Sequence, residues 1–592
     1  MKIAFILCLI VWIIAIIIYF LLLREKKNLK LNIITAFIAC TISNMILIFP
    51  FLEYDKLDLK LLMSFISSIK CAVMDQDIDF LSNINLNSLL GHAYFITVNI
   101  LFLITPALTV SFIVSYLEKL VDHIKFSLSK KRRTIIFSEL NDKSLILARD
   151  YENDKNCSIV FANVKEKNDI KIKSIKLLEK VTNIKINSKN EVIFYIISSN
   201  EEKNLNESLE LIDKYKDRDN TKIYVLDDNE EAPIILDSTD KGKIKVDIIN
   251  EKERAIFNLL SNKPLFLNAI NKTISILIVG CGNIGKEFLR DSVWCSMLPN
   301  YKLKVLVIDN DADIIKEKIN VEMPELLNNY DITFINEDIK SNKSIEMIKS
   351  NNDINYIMVS MENDDKNIET AIMLRRLFLR EFDREPIINL YIENDFKQEQ
   401  VISLSNERGD SYKLNAFGSI DDLYRQNNIV DIELEKLAQQ IHLTYDPFDK
   451  ELKRYNSREY NKRTSRACAL HIKYKLFAVL GDEYTEDMNK NLELFRKKYN
   501  SKIEEELSKN EHDRWNAYMR SIGYVYVSTD EVKNYYKKTK HHVNYLARMH
   551  PALVSYDKLD DVSKELSKIT SKNINLKESD VKIIRLLKTI DL

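Results

Sequence analysis

Long apolar stretches dominate the first part of the chain. Residues 3–23 form an unbroken apolar run, and uncharged, mostly apolar stretches follow at 31–52 and 93–117. Each stretch is long enough to cross the hydrocarbon core of a bilayer as a helix. A signal peptide is the alternative for the first run, but that run is too long and no small-residue cleavage site follows it. We therefore predict three transmembrane helices within residues 1–120.

The charges that flank these stretches predict which side faces the cytoplasm. Residues 24–30 and 130–133 are rich in lysine and arginine, whereas the loop at 53–92 carries more acidic than basic residues. Basic loops stay on the cytoplasmic side of a membrane. The pattern predicts a multi-pass protein of the cell membrane, in contact with lipid, with its N-terminus outside and its C-terminal domains in the cytoplasm.

Short apolar runs alternate with amphipathic stretches from residue 134 onward. This alternation is typical of βαβ units and a parallel sheet. A motif of two asparagines with acidic residues between them follows a strand at 200–205 and again at 363–368, which indicates an internal duplication. The predicted fold class is α/β, with two Rossmann-like domains at 134–270 and 271–430. The strand candidates are 134–137, 158–162, 192–197 and 222–226 in the first half, and 274–279, 304–308, 332–336, 356–360 and 387–392 in the second.

Glycine is scarce, and its positions carry information. The chain has only nine glycines in 592 residues, where average usage of about 7% would give about forty. Three of them fall in one hexapeptide that directly follows a buried-type strand, Gly280-Cys281-Gly282-Asn283-Ile284-Gly285. In this GxGxxG pattern the glycines allow a tight turn and a close approach of the backbone to a pyrophosphate, which then faces a helix N-terminus.

An acidic residue supports this interpretation of the glycines. The next strand ends at Asp309, where a carboxylate can accept hydrogen bonds from a ribose 2′-hydroxyl. The pattern predicts a site for NAD or a related nucleotide with a free 2′-hydroxyl, and a purely structural turn is the alternative. The equivalent loop of the first half, residues 138–143, has no glycine and two carboxylates that would repel a phosphate. We therefore predict that the first half is a degenerate, structural copy.

The second half resembles the TrkA-N, or RCK, domains that regulate potassium channels and transporters. The matching segments are LIVGCGNIG at 277–285, VIDND at 307–311 and the strand-end and helix sequence at 363–378. The resemblance extends over about residues 134–430 as a tandem. It implies nucleotide contacts at Gly280, Gly282, Gly285 and Asp309, assembly into a homo-oligomer, and a regulatory role. The first 240 residues contain only Gly91, so the glycine-containing filter of potassium channels is absent.

The C-terminal part, residues 447–592, is helical, charged and aromatic. Its segments 511–526 and 550–559 resemble the RyR repeat of ryanodine receptors and its prokaryotic relatives. Tryptophan and tyrosine offer flat faces for a base, and arginine offers a planar fork for phosphate. A simple hydrophobic core is the alternative for the aromatic residues, which recur at helical spacing. The predicted ligand cage consists of Arg466, Arg514, Trp515, Tyr518, Tyr524 and His550.

Composition narrows the function further. The formal net charge of -1 argues against nucleic-acid binding, and seven scattered cysteines indicate neither a disulfide framework nor a metal site. We predict a membrane-embedded nucleotide sensor, a ligand-gated ion channel or channel-like effector without catalytic residues. Resemblance to effectors of nucleotide second-messenger systems extends this prediction to antiviral defence.

The sequence is compatible with two other functions. The first is a membrane-anchored NAD-dependent oxidoreductase, for which Tyr151 and Lys155 offer a YxxxK motif. That motif precedes the glycine loop and lies in the degenerate half, which makes an enzyme the minority interpretation. The second is a non-conducting anchor with a scaffold tail, which would show no ligand-dependent ion flux.

Overall fold

The computed structural model describes most of the chain as two compact units, Met1–Lys130 and Lys131–Leu592. The residues outside the description are 25–28, 76–81, 83, 85, 129–132, 165–171, 187–189, 230, 407–411, 426–431 and 591–592.

The first unit is helical. Within its described residues, the stretches Ile34–Phe51 and Leu89–Ser111 are long and apolar enough to cross a membrane, and Lys2–Ile18 is a shorter apolar helical stretch. Two spans therefore have support from length and composition, and the third stays a prediction. The helices are α1 (Lys2–Arg24), α2 (Leu29–Ile48), α3 (Leu57–Ala72) and α4 (Leu89–Leu128).

Buried polar contacts join the helices of the first unit. The Asn44 side chain in α2 donates a hydrogen bond to the Thr105 hydroxyl in α4 over 2.9 Å, and the Tyr94 hydroxyl of α4 donates to the Leu47 carbonyl of α2. Ser64, Ser68 and Cys71 form the buried face of α3. Small side chains let helices approach closely in an apolar environment, so this packing suits a membrane segment.

The second unit contains two six-stranded sheets and a two-stranded one. All the strand pairs between named strands are parallel. The strand order is β3-β2-β1-β4-β5-β6 in the first large sheet and β12-β11-β10-β7-β8-β9 in the second. Both are the 3-2-1-4-5-6 order of a Rossmann fold, written from opposite edges. The predicted α/β class with two parallel-sheet domains is confirmed.

The strands have the following bounds: β1 Arg133–Phe137, β2 Cys157–Phe161, β3 Ile175–Lys176, β4 Glu191–Ile196, β5 Thr221–Leu226, β6 Lys245–Ile249, β7 Thr273–Val279, β8 Lys302–Asp309, β9 Ile332–Asn336, β10 Tyr356–Val359, β11 Ile387–Tyr391, β12 Leu414–Phe417, β13 Val525–Tyr526 and β14 Met549–His550. The sequence pattern missed β3, β6 and β12 in the two halves, and β13 and β14 in the C-terminal part. β3 has only two residues, and β6 alternates charged with apolar residues at the edge of its sheet.

Helices connect and cover the sheets. Those of the two halves are α5 Asp142–Glu152, α6 Glu201–Tyr215, α7 Glu231–Ser238, α8 Glu251–Asn262, α9 Asn283–Cys295, α10 Ala312–Glu322, α11 Leu326–Asn329, α12 Asn342–Ser350, α13 Asp364–Phe382, α14 Asp395–Asn406 and α15 Ile420–Tyr424. The C-terminal helices are α16 Ile432–Tyr445, α17 Lys453–Ser457, α18 Glu459–Leu470, α19 Ile472–Leu480, α20 Met488–Lys498, α21 Ser501–Ser521, α22 Thr529–Thr539, α23 Leu559–Thr570 and α24 Leu576–Leu586.

The repeated asparagine motif performs the same structural task in both halves. Asn200 caps α6 and Asn363 caps α13, each accepting a hydrogen bond from the backbone N–H three residues later. Asn204 accepts from the Ser198 N–H and donates to the Leu226 carbonyl, the last residue of β5.

Asn367 repeats this arrangement in the second half. It accepts from the Met361 N–H over 2.7 Å and donates to the Tyr391 carbonyl, the last residue of β11, over 2.8 Å. Asn204 and Asn367 are both buried. Each asparagine therefore joins its own helix to the ends of two neighbouring strands, as an internal duplication predicts.

The C-terminal helices pack on both halves. In α21, the Tyr518 ring meets the Trp294 ring of α9 edge-on, with 6.0 Å between centroids. In α18, the Lys462 ammonium lies 2.6 Å from the Asp247 carboxylate of β6 and donates to the Val246 carbonyl. The second unit is thus held together by contacts among all three of its parts.

Buried charges concentrate where these parts meet. Arg463 of α18 lies 3.2 Å from Glu253 of α8, and Arg466 of α18 lies 2.8 Å from Glu435 of α16. Although burial opposes it, the cations Lys462 and Arg466 hold the pKa of Asp247 well below its ordinary value. The Asp247 carboxylate is therefore ionised and paired.

The duplicated asparagines yield a stability prediction. Asn204→Ala and Asn367→Ala should each destabilise the protein by about 1–3 kcal/mol, because each leaves buried backbone groups unpaired. Thermal unfolding of the purified protein measures this, with Asn206→Ala as control, since Asn206 is exposed on α6. If either Asn204→Ala or Asn367→Ala melts at the same temperature as Asn206→Ala, that result would contradict the role of these asparagines in joining helix and strands.

Candidate functional site

The glycine loop begins where β7 ends. Gly280 has a φ of +82°, and a Cβ there would lie 2.6 Å from the Ser360 carbonyl oxygen. Gly285 lies in the first turn of α9, where a Cβ would lie 2.2 Å from the Gly280 carbonyl oxygen. The Ser360 hydroxyl donates to that same carbonyl over 2.8 Å. These two glycines are required because strand, helix and the following loop approach too closely for any side chain.

Gly282 differs from the other two glycines. It is the N-cap residue of α9 and has a φ of -67°. Because glycine has no side chain, no side-chain hydrogen bond caps this helix. A Cβ added there would meet no heavy atom within 4 Å. The fold itself therefore does not require glycine at this position. Its effect is to leave the space in front of the α9 N-terminus open, where backbone N–H groups and the helix dipole favour an anion.

Asp309 lies beside this loop at the end of β8. Its carboxylate accepts the Cys281 N–H over 2.7 Å and the Asp311 N–H over 2.8 Å. A carboxylate offers about four acceptor positions, so two remain for the hydroxyls of a ribose. The structure thus brings Gly280, Gly282, Gly285 and Asp309 together. The other two predicted contacts are in the first turn of α9, with Asn283 exposed and Ile284 half-buried.

The site lies at the switch point of the second sheet. Strand β7 pairs with β8 on one side and β10 on the other, and the chain connections reverse direction there. In open α/β sheets, ligands bind outside the carboxyl ends of the strands at this point. Burial, with Asp309 nearby, raises the pKa of the Cys281 thiol to about 12. The thiol is therefore protonated and offers no nucleophile.

The first half closes the equivalent edge with side chains. Asn141 caps α5 in a reciprocal capping box with Ser144 and donates to the Ile197 carbonyl over 2.8 Å. The Ser138 hydroxyl accepts the Ile197 N–H, and Glu139 pairs with Lys203 at 2.9 Å. Since a side chain already caps this helix, its N–H groups are less available to an anion than those of α9.

The six residues of the predicted C-terminal cage do not form one cavity. Arg466 pairs with Glu435 at 2.8 Å and with Asp247 at 3.5 Å, on the side of the first half. Tyr518 packs on Trp294, and Tyr524 is buried near Tyr460, 6.3 Å between ring centroids. Arg466 and Tyr518 thus belong to contacts between the C-terminal helices and the two halves, whereas the Tyr524 contact lies within the C-terminal part.

Arg514 belongs to a fully buried ion cluster. Its guanidinium donates to both carboxylate oxygens of Glu511, over 3.0 and 2.8 Å. The Lys475 ammonium of α19 lies 2.7 Å from Glu511 on the same carboxylate. Despite full burial, these two cations hold the pKa of Glu511 far below its ordinary value. Arg514 is only 1% exposed, so the cluster is structural in this conformation.

Of the six predicted cage residues, Trp515 and His550 contact each other and are partly accessible to solvent. Their rings meet edge-on with 4.8 Å between centroids, and both are half-buried. His550 accepts the Ala552 N–H through Nδ1. Burial, with His542 and His512 nearby, lowers the pKa of His550 to about 3. The ring is therefore neutral with its proton on Nε2, and can donate one hydrogen bond beside an aromatic face.

The proposed YxxxK pair does not form a catalytic group. The Tyr151 hydroxyl lies 2.6 Å from the Tyr195 hydroxyl inside the first half, and burial raises the pKa of Tyr151 to about 12. Lys155 is exposed. A tyrosine acting as an acid needs a lowered pKa and access to substrate, and Tyr151 has neither.

A possible metal group was missed by the sequence pattern. His442, Asp446 and Asp449 offer ligand atoms within 4.8 Å of one another. However, Asp449 accepts the Tyr455 N–H and lies 3.0 Å from His442 Nε2, while Asp446 pairs with Arg454 at 2.8 Å. Each side chain already has a protein partner, so the group is explained as a helix-to-loop connection.

Comparison with known proteins adds little. No protein-family model matches the chain, and no curated protein matches it. A solved structure, the GsuK channel bound to NAD, aligns over 71% of this chain and 85% of its own, with 12% sequence identity and a TM-score of 0.31. A likeness at this TM-score does not assign a function to the chain.

The ion cluster provides a test of the role of Arg514. Glu511→Gln should destabilise the protein by about 3–5 kcal/mol, because two cations would be left buried without their carboxylate. Thermal unfolding measures the loss, and Glu505→Gln, exposed on the same helix, is the matched control. Equal melting of the two variants would show that Arg514 is free to serve a ligand.

Proposed function

We propose that the chain is a membrane-embedded nucleotide sensor that binds NAD, or a related nucleotide with a free 2′-hydroxyl, at the glycine loop. The observation that carries the proposal is Gly282. It keeps an uncapped helix N-terminus open, at a position where the fold would accept a side chain. A purely structural turn would need Gly280 and Gly285 but not this third glycine.

The geometry also favours one orientation of the nucleotide. The pyrophosphate faces the N-terminus of α9, where N–H groups and the helix dipole stabilise negative charge. The adjacent ribose faces Asp309, whose carboxylate accepts its hydroxyls and repels a 2′-phosphate. NAD should therefore bind more tightly than NADP.

The role we propose is regulatory. The helix that begins at the glycine loop also packs through Trp294 on Tyr518 of α21. In addition, a Cβ at Gly523 would lie 2.5 Å from the carbonyl oxygen of Glu322, the last residue of α10. A ligand that favours one position of α9 or α10 therefore favours one position of the C-terminal helices. Only such a difference in affinity between two states can move an effector.

We propose that the effector is the first unit, acting as a ligand-gated or channel-like membrane segment of a homo-oligomer. Its apolar helices support this part of the proposal. In the C-terminal part, the Trp515–His550 pair is our candidate for a second contact with a nucleotide signal, as its resemblance to the RyR repeat implies. A role in antiviral defence follows from resemblance alone. The buried Tyr151 does not favour the oxidoreductase alternative.

Binding of NAD tests the glycine loop. Gly282→Asp should weaken NAD binding at least about tenfold, because its carboxylate occupies and repels the phosphate position. Isothermal titration of the purified protein measures the affinity, with NADP as a second ligand. Asn342→Asp is the control, since it adds the same charge at the first residue of α12 in the same half. Unchanged NAD affinity in Gly282→Asp would refute the proposed site.

Ion flux tests the effector. We expect NAD to change the flux of monovalent cations from liposomes that contain the wild-type protein and the Asn342→Asp control. Gly282→Asp should lose the response. Trp515→Ala should retain NAD binding, so a lost flux response in that variant would place Trp515 between ligand and effector. If the wild type shows no NAD-dependent flux, that result would contradict the proposed channel activity, but it would not contradict the proposed NAD site.

A further inference from the structure

A second cleft lies between the first half and the C-terminal helices. It has a volume of about 280 Å³, near the lower end of the range for small-ligand sites. One wall comes from β5, β6 and α8, and the other from α16 and α18. The glycine loop contributes none of the cleft's lining residues, so the cleft is separate from the nucleotide site proposed above.

The sheet register builds the polar wall of this cleft. Lys222 pairs with Lys245 across β5 and β6, and Tyr224 pairs with Asp247. Alternate residues of a strand share a face, so all four lie on the same side of the sheet. The C-terminal helices help to cover this face of the first sheet. Because α18 supplies cations for Asp247, the edge strand β6 can carry a charged residue on this face.

The inner charges of the cleft are balanced. Arg466 is within 3.5 Å of Asp247 and of Glu459, and within 2.8 Å of Glu435. Burial is offset by the electrostatic attraction of these partners, and the pKa of Arg466 lies well above its ordinary value. The inner part of the cleft has four carboxylates, which are Asp247, Glu253, Glu435 and Glu459. Four cations lie among or behind them: Arg254, Lys462, Arg463 and Arg466.

The rim of the cleft adds positive charge without matching acids. Lys245 and Lys436 are exposed and line the cleft, and within the described part of the chain neither makes an ion pair. Lys222 is partly satisfied by Glu191 at 3.9 Å. The two unmatched lysines supply a surplus of two positive charges, which equals the charge of a phosphate monoester near neutral pH, about -1.5 to -2.

Uncharged groups complete the lining. Phe257 and Leu434 are half-buried apolar side chains on opposite walls, and Asn258 and Gln439 place amides beside them. Sites for small ligands combine apolar surfaces with a few polar groups that fix orientation. A flat, partly polar body with one doubly charged group matches this combination.

We propose that this cleft binds a nucleoside 5′-monophosphate, with its phosphate at Lys245 and Lys436 and its base between Phe257 and Leu434. The walls belong to the first half and to the C-terminal helices, so the bound nucleotide joins these two parts. The degenerate half, which lacks a glycine loop, thereby contributes to a ligand site on a different face of its sheet.

The test compares charge reversal at the rim with charge reversal elsewhere. Isothermal titration of the full-length protein in detergent uses AMP, GMP, CMP and UMP as probes. We expect at least one of them to bind the wild type, and Lys245→Glu/Lys436→Glu to weaken that binding at least tenfold. The matched control is Lys490→Glu/Lys502→Glu, which reverses two exposed lysines on α20 and α21 and should bind as the wild type does.

A third variant separates the two sites. Gly282→Asp should retain monophosphate binding, because the cleft does not include the glycine loop. Loss of binding in Gly282→Asp with retention in the rim variant would assign the monophosphate to the glycine loop and overturn the proposal. Absence of binding by all four monophosphates would also overturn it. Neither result depends on whether NAD binds, so the two proposals fail separately.

Discussion

The arrangement of the second unit depends on charges that cannot be buried alone. Asp247 of the first half and Glu253 of α8 meet three cations of α18, Lys462, Arg463 and Arg466, at a junction where Lys462 is buried and the other four side chains are about three-quarters buried or more. Apolar surfaces tolerate sliding, but a buried ion pair is favourable only near one geometry and leaves an uncompensated charge elsewhere. The ion pairs therefore determine where α18 lies on the first half.

Helix α9 connects that arrangement to the nucleotide site. Its first turn is held against β7 by the absence of side chains at Gly280 and Gly285, and its later turns lie against α21 through Trp294. The helix is fixed at both ends by packing, while Gly282 alone leaves open space. The ligand site thus lies on an element that packs against both β7 and the C-terminal helices, which positions a ligand precisely and connects it to α21.

Local signals in the sequence predicted local structure. The glycine loop and Asp309 could be recognised because strand, turn, helix and acid follow one another within residues 273–309. The strands with strong apolar runs were recognised for the same reason. β6 was missed, since Lys245 and Asp247 interrupt its apolar residues, and the partners of Asp247, which are Lys462 and Arg466, lie more than 200 residues further along the chain.

The residues of the predicted cage meet partners that lie far away in the sequence. Trp515 and Tyr518 are three residues apart on one helix, yet Trp515 contacts His550 and Tyr518 contacts Trp294. Residue type indicated what each side chain could do, but the helices packed around α21 decided what each one meets. The buried Lys475–Glu511 pair has no local signal either, because each residue alone is typical of a solvated surface.

The two asparagine motifs separate what the fold needs from what the ligand needs. Asn204 and Asn367 occupy equivalent places and make equivalent bonds, although one half has a glycine loop and the other has none. After a duplication, a residue kept by both copies reports a shared architectural demand, and a residue kept by one copy reports specialisation. By that criterion the asparagines are the signature of this fold's ancestry, and the glycines are the signature of its divergence.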